Sequence, residues 1–228
     1  HRGWLDGHTA APLTFTATGT PGAATQVALE AGDGQSATVG NAVAIAPAVI
    51  VRDQFNNPVA GVEVTFAVTS GDGSVTGATQ TTDAAGIATI GSWTLGNTAG
   101  ANSLTASAGG LTGSPVTSNA NGTVGAATQV ALEAGDNQTA TVASAVAVAP
   151  AVIVRDQFNN PVAGVEVTFA VASGDGSVTG ATQTTNAAGI AAVGSWTLGN
   201  TAGANTLTAT SAGLIGSPVT FTATGTFG

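Results

Sequence analysis

The sequence predicts an all-β protein of two tandem β-sandwiches plus an extra N-terminal strand, and three observations carry that expectation. Apolar residues alternate with polar ones at a period of two, the pattern of strands with one buried face. Val62, Val64, Phe66 and Val68, for example, are interleaved with Glu63, Thr65 and Ala67. Turn formers interrupt these runs at short intervals, with 33 glycines and 8 prolines in 228 residues. The chain also repeats itself 103 positions on, superimposing Asp53–Pro58 on Asp156–Pro161 and Trp93 on Trp196.

Only 17 of the 102 positions differ between Gly22–Thr123 and Gly125–Thr226, leaving 85 identical with no slip of register, as a tandem duplication requires. The expected organisation is an N-terminal segment at 1–21, a first repeat at 22–124 and a second at 125–228. In chain order the first strand is an orphan at 12–20, because Pro12–Thr20 (PLTFTATGT) matches Pro218–Thr226 (PVTFTATGT) at the end of the second repeat. Leu13, Phe15 and Ala17 would form its core-facing side. The first repeat then reads as strands at Gln26–Ala31, Ala48–Asp53, Val62–Val68, Ile87–Leu95, Ser103–Ala108 and Val116–Ala120, with a second set 103 positions later. About seven short strands per ~100 residues is the density of an immunoglobulin-like sandwich. Frequent β-branched residues and the lack of a 3.6-residue apolar stripe argue against helices. The inward set is Val27, Leu29, Val49, Val51, Val62, Val64, Phe66, Trp93, Leu95 and Leu104, with their equivalents.

Composition excludes several classes of function. Charged residues make up 7% of the chain, against about 25% in ordinary soluble proteins. The only Lys or Arg residues are Arg2, Arg52 and Arg155, and Cys is absent, so disulfides, thiolate metal sites and lysine chemistry are unavailable to this fold. A net charge of -9 opposes nucleic acid and anionic lipid, which demand clustered cations. No apolar run approaches the roughly 20 residues of a membrane span. The chain begins at His1 without a signal peptide, which reads as a mature or trimmed product.

Three runs resemble a known family: Val51–Phe66 (VRDQFNNPVAGVEVTF), Thr81–Ala88 (TTDAAGIA) and Trp93–Ala106 (WTLGNTAGANSLTA). Together they are similar to the bacterial immunoglobulin-like group 1 repeat of invasin- and intimin-type surface proteins. The resemblance covers both repeats and the orphan strand. It implies extracellular stalks or adhesins whose repeats have no enzymatic activity. The sequence departs from the family pattern at Phe55 and Asn56, where a small residue and a glycine are usual.

Candidate chemistry is sparse. Asp53 and Asp156, each ahead of Asn-Asn-Pro, could start a calcium site, yet Asp, Asn and Pro at these positions are also turn formers whose side chains accept backbone N–H bonds. Gly71–Ser74 and Gly174–Ser177 read as hairpin turns, lacking the further acidic ligands of a calcium loop. Glu30 with Asp33, and Glu133 with Asp136, lie near the repeat boundaries and leave an interdomain calcium open. Trp93 and Trp196 alternate with Leu and read as core rather than as sugar platforms. His1 and His8 flank Trp4 at metal-compatible spacing in a segment matching neither repeat. Neither repeat holds a His, Cys or Lys to activate a hydroxyl nucleophile.

The expected function is a non-enzymatic structural repeat of a bacterial cell-surface or extracellular adhesin, stalk or fibre, with no cofactor and no metal. Its partners would be copies of itself or neighbouring Ig-like repeats, without nucleic acid or membrane insertion. The alternative is a module that binds a host glycan or protein through its end loops. Ser118 stands where the second repeat has Phe221, so polymerisation by donation of residues 12–20 is a further expectation. The competing account of that strand is that it ends a repeat preceding this sequence in a longer array.

Overall fold

The computed structural model describes residues 13–228, and the His1, Trp4 and His8 cluster lies outside the described residues, as does Pro12. The first repeat folds into ten strands: β1 (Gln26–Ala31), β2 (Gln35–Thr38), β3 (Ala48–Arg52), β4 (Glu63–Ser70), β5 (Ser74–Thr76), β6 (Thr79–Thr81), β7 (Ile87–Thr89), β8 (Ser92–Thr94), β9 (Gly100–Ser107) and β10 (Val116–Thr123). The second repeats them as β11 (Gln129–Ala134), β12 (Gln138–Thr141), β13 (Ala151–Arg155), β14 (Glu166–Ser173), β15 (Ser177–Thr179), β16 (Thr182–Thr184), β17 (Ile190–Ala192), β18 (Ser195–Thr197), β19 (Gly203–Thr210) and β20 (Val219–Thr226). Each repeat packs a three-stranded sheet, β1-β3-β7, against a five-stranded one, β2-β10-β9-β4-β6, with β5-β8 as a small third ladder. The β2–β10 pair is parallel and the others are antiparallel. No ladder joins the sheets of one repeat to those of the other.

The alternation seen in the sequence is realised as an inward face. Val64 and Phe66 are buried while Glu63, Thr65 and Ala67 face solvent. Trp93 and Trp196 are fully buried, and their indole N–H groups have no hydrogen-bond partner among the described residues. An unpaired buried N–H costs about 1–3 kcal/mol. Burying roughly 200 Å² of indole at about 25 cal/mol per Å² contributes ~5 kcal/mol, so the core position prevails.

Three expectations change. Leu29 and Leu132 are 39% and 41% exposed rather than buried. They sit on an edge strand whose register against β3 slips between Leu29 and Ala31, and against β13 between Leu132 and Ala134. Val62 is only partly buried, because it precedes β4 and packs at the rim of the core. The strand expected over Ile87–Leu95 divides into β7 and β8 around Ile90-Gly91. There the Gly91 N–H donates to Thr76 O at 2.9 Å, drawing the chain from one sheet to the next.

The N-terminal segment pairs differently from its copy. Residues 13–20 join no strand, and Leu13 and Phe15 are 78% and 86% exposed. The matching residues of β20, Val219 and Phe221, are buried in the second core. Among the described residues no helix is long and apolar enough to cross a membrane.

Candidate functional site

Each repeat admits the chain at one pole and releases it at the other. Gln26 at the start of β1 faces Arg52 at the end of β3, so the leading pole carries the Asp53–Pro58 turn. Thr123 at the end of β10 faces Thr38, and the Val39 N–H donates to Thr123 O, so the trailing pole carries Gly40 and the loop after β8. The junction between repeats therefore apposes the trailing pole of the first to the leading pole of the second.

The leading pole is organised by one buried carboxylate. Asp53 Oδ1 accepts from the N–H groups of Phe55 (2.8 Å) and Asn57 (2.9 Å). Its Oδ2 accepts from Gly22 N–H (2.8 Å) and Asn57 Nδ2 (3.0 Å). The Asn57 side chain and the Gly22 N–H are the main causes that hold this carboxyl down at about 2, below the ordinary 3.8. Asn56 takes a positive φ of 64°, which asparagine tolerates in place of the family's glycine. The turn keeps its shape through Asp53's bonds, and the departure at Phe55 leaves an aromatic ring outside.

Asp156 does the same in the second repeat, gripping Gly125 N–H at 2.9 Å in the linker. Burial pushes its carboxyl up, but the bonds from Asn160, Gly125 and Phe158 outweigh this and bring it below the usual range. Both aspartates are thus clamps between a turn and the chain that leads into it, with four N–H donors on each pair of carboxylate oxygens. Asp33 and Asp136 likewise accept the backbone N–H of Asn119 and Thr222. Among the described residues no three His, Cys, Asp or Glu side chains gather as a metal group.

At the junction this turn acquires a second set of partners. Asn160 Oδ1 accepts from Ala99 N–H at 2.9 Å, and its Nδ2 donates to Asn97 O at 2.8 Å. The Phe158 ring lies over Gly40, so close that a Cβ built there would stand 2.9 Å from ring atoms Cε2 and Cζ. The equivalent loop of the first repeat has no such cover: Phe55 is 74% exposed, and Asn57 is exposed where Asn160 is buried.

The sequence-predicted site residues Leu13, Phe15 and Ala17 are all exposed and are not brought against any strand. The residues that make the junction, Gly40, Asn97, Ala99, Phe158 and Asn160, were not singled out as a site. Two signals in the sequence bear on them: the departure at Phe55 with its copy Phe158, and the change of Gly40-Asn41 to Ala143-Ser144 among the few differences between repeats.

Comparison with known proteins agrees with the architecture. Residues 33–121 match the bacterial Ig-like domain (group 1) family. Among solved structures, Yersinia pseudotuberculosis InvD is similar at 22% identity with a TM-score of 0.50, covering 84% of this chain and 55% of that one. The Escherichia coli adhesin FdeC is 19% identical with a TM-score of 0.48, covering 90% of this chain and 66% of that one. Invasin, a bacterial integrin-binding protein, is 22% identical with a TM-score of 0.40, covering 89% and 39%. The chain thus spans under two thirds of the InvD and invasin structures and about two thirds of the FdeC one. No curated protein sequence matches it at a significant level.

Proposed function

We propose that the chain is a non-enzymatic spacer, because residues 33–121 match the bacterial Ig-like domain (group 1) family and the second repeat copies the first at 85 of 102 positions. It would be a pair of domains, 22–124 and 125–228, in the stalk or fibre of a bacterial surface or extracellular adhesin. The observation that carries this reading is the passage of the chain from leading to trailing pole in each repeat, with a bonded junction between them. The strands turn Thr hydroxyls outward, as at Thr65 beside the buried Val64 and Phe66, and a spacer needs no more. Small-angle scattering should give a rod about two sandwiches long, and a compact particle would overturn the reading. A host protein or glycan would have to be recognised by pole loops, where sandwiches present their variable surface.

A second reading, strand donation, rests on one asymmetry. Ser118 is buried at the position of Phe221, while Phe15 in the matching N-terminal segment is exposed. Because β10 lies between β2 and β9, an incoming segment 12–20 would replace β10 rather than extend an edge. Subunits linked this way would form an open fibre, since the contact need not close. Incubation near the unfolding midpoint should then yield oligomers that are lost on deleting residues 1–20. Oligomers that persist after the deletion, or no oligomers with the full chain, would overturn donation while leaving the spacer reading intact.

A further inference from the structure

The junction between the two repeats shows what a docked leading pole looks like, and in the first repeat the same turn is exposed, with Phe55 at 74%. Phe55, Asn56, Asn57 and Pro58 are identical to Phe158, Asn159, Asn160 and Pro161. Their backbones share the positive φ at Asn56 and Asn159, 64° and 68°. Both turns are tied by the same aspartate bonds and grip the preceding chain through Gly22 and Gly125. The exposed ring and amide of the first repeat are therefore preformed in the geometry that, one repeat later, is seated. Val59 is only partly buried in the first repeat, whereas Val162 is buried in the second.

The trailing poles differ in a way that bears on what can receive this knob. Gly40 and Ala143 occupy the same place and both have positive φ, 73° and 59°. Each donates its N–H to the same carbonyl position, Gly96 O and Gly199 O. The alanine thus keeps the backbone of the glycine and adds a methyl where Phe158 is seen to sit, 2.9 Å from two ring carbons. That distance is below contact for carbon atoms, so a ring cannot take the observed position over Ala143.

We propose that the Phe55 turn is a docking knob for the trailing pole of another Ig-like repeat bearing glycine at the Gly40 position, and that Ala143 bars the second repeat's own trailing pole from that role. The occupant would offer a carbonyl like that of Asn97 and an N–H like that of Ala99 to Asn57. The inference rests on the spacer reading and adds a rule to it: one residue, glycine or alanine, decides whether a junction is docked or hinged. A contact this small relies on the high local concentration that a covalent link provides, so it must be tested within one polypeptide.

Two copies of the chain are joined with Thr226 of the first followed by Pro21-Gly22 of the second, reproducing the Thr123-Val124-Gly125 link of the natural junction. Hydrogen exchange at the Ala202 N–H of the first copy, the counterpart of Ala99, reads docking at the new central junction. Ala143→Gly in the first copy should slow that exchange about tenfold, the worth of one ordinary hydrogen bond. Phe55→Ala in the second copy should return it to the parent rate. In the unmodified chain Gly40→Ala should speed exchange at Ala99, and its fold is not at risk because Ala143 already occupies the same conformation. Equal exchange at Ala202 with alanine and with glycine, or no response to Phe55→Ala, would overturn the proposal. Scattering on the same samples reports rod or compact shape separately, so failure of the spacer reading is told apart from failure of the knob.

Discussion

At the scale of single residues, Asp53 and Asp156 do work that short-range sequence reasoning divides between turn and metal. Each carboxylate accepts from its own turn and from the linker. The folded carboxyl of Asp53 lies at about 2, below 3.8. A group depressed in this way contributes stability that is fully present above the ordinary value and is lost as pH falls through the folded one. The melting temperature should therefore be level at neutral pH and drop between pH 3.8 and about 2, and Asp53→Asn should flatten part of that drop while lowering the plateau. An unchanged acid profile in the variant would show that the clamp is not linked to folding. Ala143 offers a second test. A left-handed alanine costs about 1–2 kcal/mol, and glycine's extra freedom in the unfolded chain offsets roughly 0.4–1 of it. Ala143→Gly should thus raise the second repeat's stability by about 1 kcal/mol in urea denaturation.

At the scale of elements, the last strand of each repeat is where two nearly identical domains diverge. Phe221 lies fully buried, 6.4 Å from Phe169 between ring centres, and Ser118 occupies its place opposite Leu104 in β10. Phe221→Ser should cost the second repeat on the order of 3–5 kcal/mol, as expected for a large buried truncation. Ser118→Phe should stabilise the first, and both are read from urea midpoints. β4 was legible because Val64 and Phe66 alternate with Glu63 and Thr65 over enough positions to fix a face, and β3 because Ala48–Arg52 is a short apolar run that is buried almost throughout. β2, β5 and β6 escaped notice because three or four residues such as Ser-Val-Thr or Thr-Gln-Thr carry too little alternation, and tertiary pairing makes them strands. Leu29 was misplaced because a bulge on an edge strand leaves no trace in composition. The junction was hidden for a different reason. Nothing local says that Phe158 will meet Gly40, 118 positions away, and the informative residue is a glycine defined by what it lacks.

At the scale of the whole molecule, the two repeats can be compared as units because the junction is small. Two hydrogen bonds at about 0.5–1.5 kcal/mol each, with partial burial of one ring at about 1 kcal/mol, place the coupling near 2–4 kcal/mol. The exchange of Phe for Ser in the core is worth on the order of 3–5 kcal/mol, a range centred about 1 kcal/mol above that coupling. Units whose intrinsic stabilities differ by more than their interface energy unfold in separate steps, as in other repeat arrays. The first repeat should therefore unfold at lower urea than the second. Trp93 and Trp196 lie one in each core, so their indole N–H signals in NMR follow the two repeats without any substitution. Loss of the Trp93 signal ahead of the Trp196 signal is the expected order. Phe158→Ala should widen the gap by releasing the first repeat from its neighbour. A single shared midpoint in the parent chain, unaltered by Phe158→Ala, would mean that Ser118 costs the first repeat far less than its buried position implies.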